Sequence, residues 1–225
     1  MTLLATDTHL IWLCTPLVLL IYGWAFRTAP WHQLAAVGLR QHLWFGAIVA
    51  LGVFWGSIRV DINQLFQLHP LLITSCTLIF GLRLALIAGL VAMVITQWLT
   101  GAPLANLPFQ LLVTICLPAA ATRALLLLIA RVRIQNLFLY ILGGGFGGGI
   151  VAMATMAASS LALLKISGAA AFPVVWENAY LFLLLLFPEG FCNGTIVSAM
   201  AVMGPKLVKT YDDDFYLDGK PNDKR

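Results

Sequence analysis

Leu10–Phe26, Leu84–Leu99 and Leu137–Leu164 contain not one charged side chain. Runs of this kind constrain the fold more than any motif. A helix of about 20 apolar residues matches the thickness of a bilayer's hydrocarbon core. Composition agrees: 61% of the 225 residues are hydrophobic and 10% are charged, where a soluble domain carries about a quarter charged residues. The expected fold is all-α, a polytopic membrane helix bundle whose interior is set by helix packing within lipid.

Seven spans are predicted, roughly Leu10–Phe26, Leu43–Ile58, Leu65–Gly81, Leu84–Leu99, Leu107–Ala130, Leu137–Leu164 and Asn178–Met203. The third and fourth are short and separated only by Leu82 and Arg83, so one bent or re-entrant hairpin is the alternative. The cations argue for seven. Arg27, Arg40, Arg83, Arg131, Arg133, Lys206, Lys209, Lys220, Lys224 and Arg225 fall on one side, against Arg59 and Lys165 on the other, with Arg123 inside a span. Basic residues collect in the cytoplasm. The expected N-terminus is therefore outside and the C-terminus cytoplasmic. Merging spans three and four would separate Arg131 and Arg133 from Arg27 and Arg40. The net charge of +4 reflects this topology, and no nucleic-acid partner is expected. The residues before Leu10 include Asp7 and no Lys or Arg, so they lack the basic region of a cleavable signal peptide.

Residues 1–204 read as a single transmembrane helical domain and 205–225 as a cytoplasmic tail. That tail carries Asp212, Asp213 and Asp214 among several cations. It reads as a solvated end or as a docking segment for a cytoplasmic partner. Cys14, Cys76, Cys116 and Cys192 fall in four different spans without a CxxC pair, and read as small buried apolar residues.

The segment Gly143–Ile150, "GGGFGGGI", resembles a phosphate loop only superficially. No Lys-Ser/Thr follows it and it lies within a span. It holds three interleaved GxxxG pairs, Gly143/Gly147, Gly144/Gly148 and Gly145/Gly149. Such spacing lets two helix backbones approach closely.

Polar groups at membrane depth mark functional candidates, because a charge at the bilayer centre costs about 2.5–3.5 kcal/mol on insertion scales. Glu189 is the clearest. It lies about 16 Å from the outer end of its span at 1.5 Å per residue, and Asn193 follows on the same helix face. Pro188 removes a backbone donor and frees the carbonyl near Leu184, while Gly190 permits close approach. Together they predict a kink that aims Glu189 into a cavity; a packing kink with Glu189 bonded to Asn193 is the bland alternative. His69 and Gln97 are expected at similar depth in the outer half. Arg123 can snorkel to the inner interface. His9, His32 and His42 sit at span ends. No HxxxH or HExxH spacing occurs, and Met153, Met156, Met200 and Met203 fit packing better than copper(I) binding.

"HPLLITSCTLIFGLRLALIAGLVAMVITQWL", His69–Leu99, resembles the core of the cobalt/nickel-type permeases of energy-coupling-factor ABC transporters. In that family a histidine opens a helix, a Gly-x-x-Leu-Ala turn follows and a glutamine ends the next helix. "LFPEGFCNG" followed by "PKLVKTYDDDFYLDGK" is similar to the C-terminal signature of a divergent branch of it. The resemblance covers roughly Leu65 to Lys220, with specific motifs at its two ends. It implies a substrate-capture subunit of about seven helices in a bacterial inner membrane, working with a second membrane subunit and two cytoplasmic ATPases. It also implies a metal-ligand role for His69. The family's cobalt and nickel members begin Met-His-Ile and use the terminal amine and that histidine as ligands. This chain begins Met1-Thr2-Leu3 and departs from the pattern there.

The expected function is a transport permease with its site between spans three, four and seven. His69 and Gln97 would contact substrate near the entrance, with Glu189 and Asn193 deeper, and a divalent transition metal is the cargo the resemblance implies. No resident cofactor and no catalysis by the chain are expected, and no Walker motif is present. The alternative is a non-transport membrane subunit or scaffold, in which the glycine helix and the kink serve assembly. An intramembrane enzyme or haem carrier lacks paired catalytic or axial residues at matching depth.

Overall fold

The computed structural model describes residues 2–3, 8–62, 66–132, 136–212 and 216. Met1, Asp7, Leu65, Arg133, Asp213, Asp214, Lys220, Lys224 and Arg225, used above, lie outside the described residues.

Five helices are long and apolar enough to cross a membrane. They are α1 (Thr8–Thr28), α5 (Leu82–Thr100), α6 (Leu104–Arg131), α7 (Leu139–Ser167) and α9 (Tyr180–Met203). Between them lie α2 (Trp31–Ala35), α3 (Gly38–Ser57), α4 (Ile73–Phe80) and α8 (Phe172–Glu177). Large apolar side chains cover the outside: Trp12, Leu20, Trp98, Leu183 and Phe187 are all at least 65% exposed. In water such a surface would aggregate; in lipid it is the solvent-facing side.

The predicted second span lies in α3, a 20-residue helix whose first turns carry Arg40, Gln41 and His42. α3 and α5 run parallel. The Trp44 indole donates to the Leu84 carbonyl at 3.1 Å, the Thr96 hydroxyl bonds the Gly52 carbonyl at 3.1 Å, and Gly56 faces Leu99. The segment joining two parallel helices must return across the bundle. It does so in an unexpected form.

The third predicted span is not one helix. The chain leaves α3 through β2 (Val60–Ile62) and β3 (Phe66–Leu68), turns through His69–Leu72, and only then forms α4. Its eight residues amount to about 12 Å at 1.5 Å per residue, too short to cross alone. The physical reason is local. Pro70 has no backbone donor and disfavours helical geometry at His69, and Leu72 sits in the left-handed region at φ 54°. β1 (Thr2–Leu3) pairs antiparallel with β3, with Thr2 opposite Gln67, and β2 pairs with its other edge. These three short strands are the described departure from an all-helical chain.

α4 and α5 meet at Gly81, whose φ of +85° suits a residue without a Cβ. The two glycine-rich or apolar stretches Leu111–Cys116 and Leu139–Gly147 are wound as π-helix within α6 and α7. α9 runs from Tyr180 to Met203 straight through Pro188 and Gly190 as one helical segment.

The glycine reading finds its partner inside the chain. A Cβ on Gly149 would stand 2.8 Å from the Glu189 carbonyl oxygen, and one on Gly190 would stand 2.9 Å from that of Phe146. A Cβ on Gly145 would likewise stand 3.1 Å from the Gly194 Cα. Two GxxxG pairs, Gly145/Gly149 on α7 and Gly190/Gly194 on α9, therefore face each other. Gly144 and Gly148 of the same run pack instead on Leu126 and Thr74.

The tail also packs back. The Lys209 and Thr210 amides donate to the Ile79 and Leu78 carbonyls at 2.9 and 3.3 Å, and the Thr210 hydroxyl adds a bond to Leu78 at 2.8 Å. Val208, Tyr211 and Asp212 are buried. The first residues of the tail are thus docked against the bundle. Cys14, Cys76, Cys116 and Cys192 are free thiols, three of them buried.

Candidate functional site

α4 is a half-helix with both ends inside protein. All eight of its residues are buried. The first N–H groups and last carbonyls of any helix lack intrahelical partners, and in a dry interior each must find one. At its end nearest the tail, the amides of Lys209 and Thr210 supply them. At its start the supply comes from α9.

Glu189 is 1% exposed. One carboxylate oxygen accepts the Leu71 N–H at 2.7 Å. The other accepts the Leu72 N–H at 2.7 Å and the Asn193 side-chain amide at 2.7 Å. Asn193 Nδ2 also donates to the Glu189 carbonyl. Its Oδ1 accepts the Ser75 N–H at 2.8 Å and the Ser75 hydroxyl at 2.7 Å. A carboxylate and an amide one turn apart on α9 therefore cap the start of α4 across more than a hundred residues. The arrangement also answers why an acid sits in this apolar run. The positive end of a helix favours an anion, and charge-assisted hydrogen bonds from backbone amides are among the stronger ones. Gly190 and Gly149 bring α9 and α7 close enough to seal the group from lipid. The kink reading expected Glu189 to face a cavity; its described contacts are instead these backbone and amide groups.

His69 lies in the turn that precedes α4, 1% exposed. Its ring packs against Trp55 with centroids 5.3 Å apart, and Nδ1 is 3.1 Å from the Pro70 carbonyl oxygen. The Trp55 indole in turn donates to the Leu71 carbonyl at 3.1 Å. One turn of four residues is thus held by α3 on one side and α9 on the other.

Gln97 is placed near the end of α5, 1% exposed, and its amide donates to Gln110 Oε1 on α6. Gln97 Oε1 and Gln110 Nε2 are buried without a protein partner among the described residues. A complementary acceptor and donor side by side suit a water or a polar ligand atom. His69 and Gln97 each bond to a different neighbour. Gln110 and Trp55 are the residues sequence reasoning missed. A glutamine inside the apolar run Leu107–Cys116 was the available signal for the first. Among the described residues no three His, Cys, Asp or Glu side chains gather as a metal cage. Met153 and Met156 are fully buried and Met203 is 85% exposed, so the four methionines form no common site.

No family model, no curated protein and no solved structure matches the chain. What the helices and their hydropathy define is an integral multi-pass membrane protein. The family resemblance rests on the motifs around His69 and Glu189 alone.

Proposed function

We propose that the protein is the substrate-capture permease subunit of an energy-coupling-factor-type transporter, crossing a bacterial inner membrane seven times with its tail in the cytoplasm. The parallel course of α3 and α5 supports the count, because it makes β3 and α4 together one return crossing. Arg83, Arg131 and Lys209 gather around one cavity at one end of the bundle, in keeping with the positive-inside bias.

The observation that carries the reading is the placement of His69. It is buried at the mouth of a broken helix, with Nδ1 turned to the Pro70 carbonyl. In a neutral imidazole that bond puts the proton on Nδ1. Metal-ligating histidines commonly donate one ring N–H to a backbone carbonyl, and the His69–Pro70 contact is of that kind. Imidazole suits transition-metal ions, so such an ion is the proposed cargo. The strand Thr2–Leu3 pairs with Phe66 and Gln67, just before this turn, and the resembling family draws ligands from its first residues. Thr2 stands where that family has histidine. In this reading Glu189 and Asn193 hold the turn in place and His69 with Gln97 faces the cargo. Hydrolysis of ATP falls to cytoplasmic partner subunits through a second membrane protein. The scaffold alternative assigned the glycine helix to assembly; Gly145 and Gly149 are consumed within the chain by α9.

Calorimetric titration of Co²⁺, Ni²⁺ and Cu⁺ into the purified protein tests the proposal. One metal should bind, and His69→Gln should abolish binding without lowering the melting temperature. No binding of any of the three by the unaltered protein would remove the metal reading. Failure of a tagged copy to bring an ATPase subunit out of native membranes would remove the transporter reading.

A further inference from the structure

We propose that the cation-rich end of the bundle binds a phosphate-type anion, the head group of an anionic lipid, in the cavity between the start of α5, the end of α6 and the returning tail. This cavity has a volume of about 780 Å³. Arg83 from α5, Arg123 and Arg131 from α6, and Lys209 from the tail all line it, with Asp212 as the one carboxylate among its described lining residues.

Three observations converge there. First, among the described residues the cations have no acidic partner. Arg83 donates to the Thr28 carbonyl at 2.7 Å and lies 5.4 Å over the Trp24 ring. Lys209 Nζ donates to Gln33 Oε1 at 3.4 Å. Arg123 and Arg131 are exposed. Among the described residues none of the four has an ion-pair partner. Second, Gly81, Leu82 and Leu84 are also in the lining, so the α5 N-terminus opens onto the cavity. That end has no side-chain cap. Its first N–H groups, which have no intrahelical partner, and the helix dipole add to the positive field. Third, the like charges crowd one another. The Lys209 ammonium is disfavoured by partial burial and then by Arg40, Arg83 and Arg123. An anion would relieve that repulsion.

A positive-inside bias alone would scatter lysines and arginines around the rim. Here they come from three separate elements onto one concave space. Basic pockets between transmembrane helices suit phosphorylated head groups. The cavity is much larger than a single phosphate. Trp24 and Leu127, both exposed and apolar, are part of its lining, an apolar surface on which acyl chains would lie. Inorganic phosphate shares the head group's chemistry without that apolar flank.

The test uses the full chain in phosphatidylcholine nanodiscs. Phosphatidylglycerol should raise the melting temperature and be retained in native mass spectrometry, whereas added inorganic phosphate should do neither. The Arg123→Gln/Arg131→Gln pair should melt as the parent does in phosphatidylcholine and retain phosphatidylglycerol about tenfold less. Arg27→Gln, outside the cavity, should behave as the parent. Stabilisation by inorganic phosphate alone would assign the same site to a free anion. No effect of either anion on the parent overturns the proposal, as does equal retention by the arginine pair. Lys209→Gln provides the same comparison should the pair fold poorly.

Discussion

The Glu189 carboxylate accepts the backbone N–H groups of Leu71 and Leu72, each at 2.7 Å. This joins the middle of the last helix to the start of a half-helix 118 and 117 residues earlier. Substitution at Glu189 should therefore act first on stability. Glutamine keeps one acceptor and turns a donor toward the other amide, leaving one buried N–H unsatisfied at a cost of about 1–3 kcal/mol. Alanine leaves both unsatisfied and should cost more. Thermal unfolding at matched detergent concentration ranks the three; equal melting temperatures would mean the bonds contribute nothing.

The glycine contact makes a graded prediction. Gly149→Ala places a methyl 2.8 Å from a backbone oxygen and Gly190→Ala places one at 2.9 Å. Backbone cannot swing aside as a side chain can, so each should destabilise by about 1–3 kcal/mol. Gly46 has nothing within 4 Å of an added Cβ. Gly46→Ala should be neutral or stabilising by up to about 1 kcal/mol, from helix propensity. Chemical denaturation of the three variants checks the order.

The docked tail should matter to the membrane domain. Thr210 bonds the Leu78 carbonyl at 2.8 Å and the Tyr140 hydroxyl at 2.7 Å. Thr210→Val removes both and leaves a buried Tyr140 hydroxyl, for an expected loss of about 1–3 kcal/mol. An unchanged melting temperature would show that the tail rests on the bundle without supporting it.

How far the sequence foretold this arrangement can be judged from particular residues. The long apolar runs mark α1, α5, α6, α7 and α9 because a bilayer span is a local property of composition. The third span could not be read that way. Leu65–Gly81 is apolar enough for a helix, but whether Leu71 and Leu72 can leave their amides outside one depends on Glu189, more than a hundred residues on. Periodicity carries no record of such a partner. Pro70 was the local hint. Glu189 and Asn193 were legible as unusual, since charge and amide in oil are costly wherever they point, but their direction was not. Gly190 and Gly194 stand four apart in the same stretch as Glu189 and form the second GxxxG pair, visible in the chain yet obscured by the proline beside them.

Lys209 gives a pH dependence. Its pKa is lowered from the ordinary lysine value, chiefly by burial and then by neighbouring cations. The folded form loses this proton before the unfolded form does. The penalty is therefore present in full below the lowered folded pKa and is relieved as pH rises through it toward the ordinary value near 10.5. Lys209→Gln should remove that part of the slope, and a bound anion should flatten it in the parent. Melting temperatures between neutral and mildly alkaline pH, with and without phosphatidylglycerol, measure both.

The most direct measurement of the central claim, that Glu189 holds the broken helix beside His69, is amide hydrogen exchange at Leu71 and Leu72. In the unaltered protein both amides should be strongly protected, although neither lies in a helix. In Glu189→Gln their exchange should accelerate, while the amides of α5 keep their rates. Equal protection in the two proteins would show that another group caps α4, and Glu189 would then return to being an acid in search of a substrate.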